Sequence, residues 1–164
     1  MEQSKFELCQ NADSIFSKRS KKLINDADVV IFASDWRDWH VTFLAESRHK
    51  LIEEFGNKFW WFGNKHIEFP SEQERIILQG NLAEAYPPKI SKLTINQSMQ
   101  TILEGFFVNP YDLLCVENQC GIWNSEGELL LYDGFHLSPQ GAKHLALRFW
   151  TVLPHVLQIW LDRE

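Results

Sequence analysis

DVVIFAS (28–34) and KFWWFG (58–63) are continuous apolar runs, and between them VTFLAESRHKLIEEFGN carries apolar residues at helical spacing and closes on a glycine. A short run without polar alternation suits a strand covered on both faces, which is what a parallel sheet requires. Parallel neighbours need a crossover between them, and the helical stretch supplies it. This strand–helix–strand order limits the chain more than any other feature. The rest extends it. Residues 13–25, DSIFSKRSKKLIN, read as a short helix with Asp13 or Ser14 as N-cap. SEQERIILQGNLAEAY reads as helical, residues 95–105 as another helix, and FFVNPYDLLC as a third extended segment. ENQCGIWNSEGE reads as a loop, ELLLYD as a short strand, and AKHLALRFWTVLPHVLQIWL as a long helix with a kink expected at Pro154. The expectation is one α/β layered domain over residues 1–164 with a mostly parallel central sheet.

Composition narrows the partners. With 45% hydrophobic residues over 164 positions the chain has material for a real core. A net charge of −6 argues against nucleic acid. The densest basic run, Lys18-Arg19-Ser20-Lys21-Lys22, reads as a solvated helix face. No stretch is long and apolar enough to cross a bilayer, and MEQSKFELCQ has no signal-peptide core. An extracytoplasmic location would therefore need a segment upstream to carry the chain there. Of the three cysteines, Cys115 and Cys120 have four residues between them. Their spacing leaves open a disulfide or two reduced thiols. No ligand set completes a zinc site.

In such folds chemistry gathers at the carboxyl ends of the strands. Three polar clusters fall there: Ser34-Asp35-Trp36-Arg37, Gly63-Asn64-Lys65-His66 and Asp133-Gly134-Phe135-His136. An imidazole takes and returns a proton near neutral pH, so His136 is the candidate general base. Asp133, three residues earlier, is placed to hold its Nδ1 proton and fix the tautomer. The bland alternative is a turn-capping aspartate beside a packed histidine. Trp36, Arg37, Asn64 and Lys65 are the candidate substrate contacts. Trp36, Trp39, Trp60, Trp61 and Trp123 are enough aromatic faces to stack sugar rings; most, Trp60 and Trp61 above all, read as core or helix packing, and Trp36 and Trp39, near the strand end, are the exposed candidates.

The block DGFHLSPQGA, led by LLLY and followed by a helix, resembles the last conserved block of the SGNH (GDSL-type) hydrolases. It is closest to the periplasmic SGNH domain fused to membrane acyltransferases that O-acetylate surface polysaccharides. DVVIFASDW resembles that family's strand ending in tryptophan, and FFVNPYDLLCVENQC resembles its run through a cysteine pair. The resemblance spans residues 28–150 and implies a three-layer α/β/α sandwich around the mostly parallel sheet. It implies serine-type acyl transfer or ester hydrolysis on carbohydrate hydroxyls, with Asp133 and His136 as triad acid and base and no cofactor. It also implies a Cys115–Cys120 disulfide, a periplasmic setting, a polysaccharide substrate, and a membrane acyltransferase domain as acyl donor.

Two family features are missing. There is no Gly-Asp-Ser block, and Ala33-Ser34-Asp35-Trp36 stands where an oxyanion-hole Gly-x-Asn-Asp is usual. Either Ser14, in Asn11-Ala12-Asp13-Ser14 after a strand FELCQ, is a divergent nucleophile, or the first block is lost and the domain lacks part of its N-terminal region. In the second case Cys9 matches a cysteine that precedes the next helix. The rival from another class is a non-catalytic remnant that binds a glycan or a protein; a plain esterase for small soluble esters is a third.

Overall fold

The computed structural model describes residues 17–68 and 85–161. Ser14, Cys9, the FELCQ strand and most of the expected 71–86 helix lie outside them. Helix α1 (Lys18–Asp26) starts later than the sequence suggests, because Ser17 is its N-cap and accepts from Ser20 N at 3.1 Å. Its C-terminal carbonyls are closed from outside. Lys58 Nζ donates to Ile24 O, Asn25 O and Ala27 O at 2.9, 3.2 and 2.9 Å, placing a cation where the helix dipole favours one. The basic run of α1 is solvated, with Lys21 paired to Glu54 and Lys22 to Asp26.

Strand β1 (Val30–Ala33), helix α2 (Asp38–Phe55) and strand β2 (Phe59–Phe62) form the expected crossover, and β2 pairs onward with β4 (Phe107–Val108). The three strands run parallel in the order β1-β2-β4. This is an α/β domain with a parallel sheet. Central β2 is buried, Phe59, Trp60 and Trp61 being at most 4% exposed, so Trp60 and Trp61 are core as read. Strand β1 corrects the sequence reading. It alternates between half-buried and exposed, and Ile31 is 48% exposed. It stands at the edge of this sheet among the described residues, so its apolar run is covered on one side only.

Helix α3 (Ile90–Leu103) begins five residues earlier than expected and packs against α2. Its buried stripe is Ile95, Asn96, Met99 and Leu103. A short 3₁₀ turn, Glu104–Phe106, leads into β4. After it the expected extended segment stops. Asn109 accepts from Tyr111 N, Pro110 takes the first helical position, and α4 (Pro110–Leu114) forms. An asparagine before a proline is a helix-start signature, and here it overrides the extended reading.

A second, antiparallel sheet was not expected. Strand β3 (Ala85–Tyr86), read as the end of a helix, pairs with β6 (Gln119–Gly121), read as loop, and β6 pairs with β5 (Cys115–Val116). Cys115 and Cys120 face each other across β5–β6 and form a disulfide. ELLLYD contributes bridges, Trp123 with Leu129 and Leu131 with Leu137, rather than a strand. Helix α5 (Pro139–Leu161) is assigned unbroken through Pro154. A second cluster, Ile67, Tyr111, Cys120, Ile122, Leu130 and Leu131, underlies this half of the molecule.

Candidate active site

The loop before α5 is built by hydrogen bonds that its sequence dictates. Tyr132 N donates to His136 O at 2.9 Å and closes the turn. Ser138 caps α5: its Oγ accepts from Gly141 N at 2.9 Å and donates to Leu129 O, which leaves the hydroxyl no role as a nucleophile. Gly141 has a steric reason. A Cβ there would lie 1.9 Å from Leu130 O, so only glycine lets α5 sit against the 129–131 segment.

Inside this turn Asp133 performs both roles that the sequence left open. Its Oδ1 accepts from Phe135 N at 2.9 Å and from His136 N at 2.7 Å, which is the capping role. Its Oδ2 lies 2.7 Å from His136 Nδ1, which is the orienting role. Partial burial works to raise the carboxyl pKa, but the bonds from the His136 ring and the two amides outweigh it and bring it down to about 2. Asp133 is thus a carboxylate at any pH relevant to catalysis. With Nδ1 turned to Asp133, His136 presents Nε2 outward. Its side chain is 63% exposed, and no hydroxyl among the described residues hydrogen-bonds Nε2.

The fold brings the other two clusters to the same place. Ile67 N donates to Gly134 O at 2.8 Å and ties the segment after β2 to the Asp133 turn. Phe135 lies between two imidazoles, stacked on His66 at 4.8 Å between centroids and tilted against His136 at 3.9 Å. His66 Nε2 lies 3.9 Å from Asp35 Oδ1, and Asp35 also meets Arg37 Nε at 3.7 Å and the Lys92 ammonium. The Lys92 hydrogen bond leads in lowering the Asp35 pKa; partial burial opposes it, and the charges of Lys92, His66 and Arg37 reinforce it. Asp35 is therefore ionised and cannot donate to an oxyanion.

Each candidate contact takes a distinct position. Trp36 is half-buried, with its indole N–H donating to Phe62 O at 2.7 Å, while Trp39 is 53% exposed. Arg37 is exposed at the start of α2, where its backbone N–H donates to His40 Nδ1 at 3.0 Å. Asn64 is only 2% exposed, and its amide is spent on the Trp36 backbone: Oδ1 accepts from Trp36 N at 2.9 Å and Nδ2 donates to Trp36 O at 3.2 Å. It shapes the site rather than facing it. Lys65 is half-buried in the fields of Asp133 and Asp35. Burial lowers its pKa and the two carboxylates resist that.

Three contributors were not singled out from the sequence. Lys92 reaches in from α3 to Asp35 and Trp36 O. Tyr111 donates to His66 O at 2.6 Å. Asn96, buried in α3, clamps the Asn64 backbone on both sides, accepting from its N–H and donating to its carbonyl, each at 2.8 Å. Of these only Asn96 leaves a trace in sequence, as a polar residue within an apolar helical stripe.

A family described as "SGNH domain (fused to AT3 domains)" matches residues 2–151, nearly the whole chain. The chain belongs to this family of SGNH domains. No curated protein and no solved structure matches it significantly.

Proposed function

We propose that this domain serves serine-type acyl transfer or ester hydrolysis at carbohydrate hydroxyls, with His136 as general base and Asp133 as its positioning residue. The observation that carries this reading is the 2.7 Å contact between Asp133 Oδ2 and His136 Nδ1, with the other ring nitrogen facing outward. In the first step His136 Nε2 takes the proton of a serine hydroxyl as its oxygen bonds to the acyl carbon. The leaving oxygen then receives that proton as its bond to the acyl carbon breaks. A carbohydrate hydroxyl or water reverses the sequence and frees the serine. Family membership and the exposed Trp39 support a carbohydrate partner, and family membership supports a membrane acyltransferase as acyl donor. The Cys115–Cys120 disulfide supports an oxidising, extracytoplasmic compartment. The three-layer α/β/α sandwich that the resemblance implies belongs to the same proposal.

Lys65, half-buried in the fields of Asp133 and Asp35, is the candidate to face a developing oxyanion, since Asp35 is ionised and the Asn64 amide is engaged elsewhere. The nucleophile is the part that the described residues do not contain, and Ser14 is the candidate in this chain. A fluorophosphonate probe tests the reading: labelling of the full chain is expected, with loss in Ser14→Ala and in His136→Ala. If the parent chain takes no label, it does not carry an activated nucleophile. A non-catalytic, glycan- or protein-binding domain then becomes the better reading.

A further inference from the structure

A groove of about 720 Å³ lies between the β5–β6 hairpin, the 123–130 segment and one face of α5. It shares no lining residue with the Asp35–His66–His136 cluster. Its volume falls within the range of small-molecule clefts, roughly 300–1,000 Å³. Its walls are fixed before any ligand arrives. The disulfide staples one hairpin. In the other wall Asn124 Oδ1 accepts from Glu126 N and Glu128 N at 3.0 and 2.8 Å, and its Nδ2 donates to Glu128 Oε2 at 2.7 Å. On the third side Arg148 ties α5 to Leu113 O at 2.9 Å. Pre-organised walls reduce the ordering that binding must otherwise impose.

The lining is evenly divided between polar and apolar surface. Trp123 is half-buried with its indole N–H turned into the protein, where no partner among the described residues meets it. Trp123 lines the groove, and its buried N–H is not offered to a ligand there. Gln119 and Glu126 from the hairpins and Gln140 and Lys143 from α5 line the same groove. Val116 and Leu147, 68% and 58% exposed, complete the apolar part. A groove lined by an aromatic residue, amides and both signs of charge suits a ring that is apolar on its faces and hydroxylated at its edge. A lipid tail would leave the polar groups unpaired, and a phosphate would meet Glu126 and Glu128.

We propose that this groove is a carbohydrate-binding site, separate from the candidate active site and stacking a pyranose on Trp123. The site does not depend on the acyl-transfer reading. If both hold, the groove gives the domain a second grip on one polysaccharide and raises the local concentration of hydroxyls near His136.

The test is a titration of the full ¹⁵N-labelled chain with cellotetraose, maltotetraose, chitotetraose and tetragalacturonate, each to ~10 mM, followed by NMR. At least one is expected to shift the Trp123 indole and the Gln119 and Gln140 amides saturably, with Kd on the order of 1 mM. Binding should weaken about tenfold in Trp123→Ala and stay unchanged in His136→Ala, so that loss of catalysis and loss of the groove are told apart. Gln140→Ala, at an exposed helix position, serves as the second variant should Trp123→Ala fail to fold. The proposal is overturned if none of the four saturates, or if the shifts map away from the groove. It is also overturned if the groove resonances respond only to protein concentration, since a second copy of the chain would then be the occupant.

Discussion

Replacing Asn96 with alanine is expected to cost the fold about 3–4 kcal/mol, far more than its polar side chain suggests. Asn96 is 1% exposed and Asn64 2%. The Asn96 Oδ1 accepts from Asn64 N at 2.8 Å, and its Nδ2 donates to Asn64 O at 2.8 Å and to Asn109 Oδ1 at 2.9 Å. Removing the amide leaves a buried N–H and a buried C=O at Asn64 without partners, and each such group costs ~1–3 kcal/mol. Asn109 loses less, because its Oδ1 still accepts from Tyr111 N. The sum falls below simple addition because neighbouring terms do not add. For a chain of this length the loss corresponds to a fall in Tm of about 6–16 °C. Asn96→Asp should be worse at neutral pH, because a carboxylate would face two oxygens, and should recover in part as pH approaches ~4 and the carboxyl protonates. Gln97→Ala, exposed on the same helix, is the control and should stay within ~0.5 kcal/mol. The measurement is urea denaturation followed by tryptophan fluorescence, repeated across pH for the aspartate variant. A loss below ~1 kcal/mol in Asn96→Ala at unchanged slope would refute the argument that this ladder holds Asn64 and, through it, Trp36.

Gly141→Ala should yield little soluble folded protein, because its Cβ would lie 1.9 Å from the Leu130 carbonyl and the helix must move to admit it; circular dichroism and yield check this. The Asp133 carboxyl should titrate near pH 2 by ¹³C NMR and return toward ~3.9 in His136→Ala, where the ring hydrogen bond is gone. Its folded value lies below the unfolded one, so its contribution to stability is present above pH ~4 and lost as pH falls through 2; its exposure keeps that contribution small. His40, His66 and His144 all have pKa values lowered, burial being the leading cause. The unfolded chain therefore binds protons first, and the urea midpoint should fall as pH drops below ~6.5; a midpoint flat from pH 7 to 5 would contradict this.

The crossover β1–α2–β2 was legible because length, β-branching and helical periodicity all pointed one way, and the Asp133–His136 pair because both residues lie on one short turn. What escaped the sequence depends on distant partners. Two-residue strands such as β3 and β5 have no periodicity to read; pairing with β6 defines them. Lys92 enters the site from a helix whose spacing says only which face is buried. Asn64 shows the converse error. At a strand end it resembles a substrate contact, yet Asn96 fixes its backbone and Trp36 takes its amide.

That exchange of roles links the fold to the chemistry. The parallel sheet ends at Gly63, where a Cβ would come within 2.7 Å of the Phe107 ring and 2.9 Å of Asn96. The absent side chain lets the asparagine of α3 reach the strand end. Asn64 then fixes the Trp36 backbone, and with it the turn that carries Asp35. Asp35 gathers Lys92 and His66, and His66 supports Phe135 against His136. From the core to the imidazole the links are hydrogen bonds, the Asp35–Lys92 ion pair, the 3.9 Å approach of His66 to Asp35 and ring contacts, and none requires a nucleophile to be present. An aspartate–histidine pair so supported keeps its geometry whether or not a serine stands opposite. For that reason its geometry alone does not report activity, and the covalent probe must be applied to the whole chain.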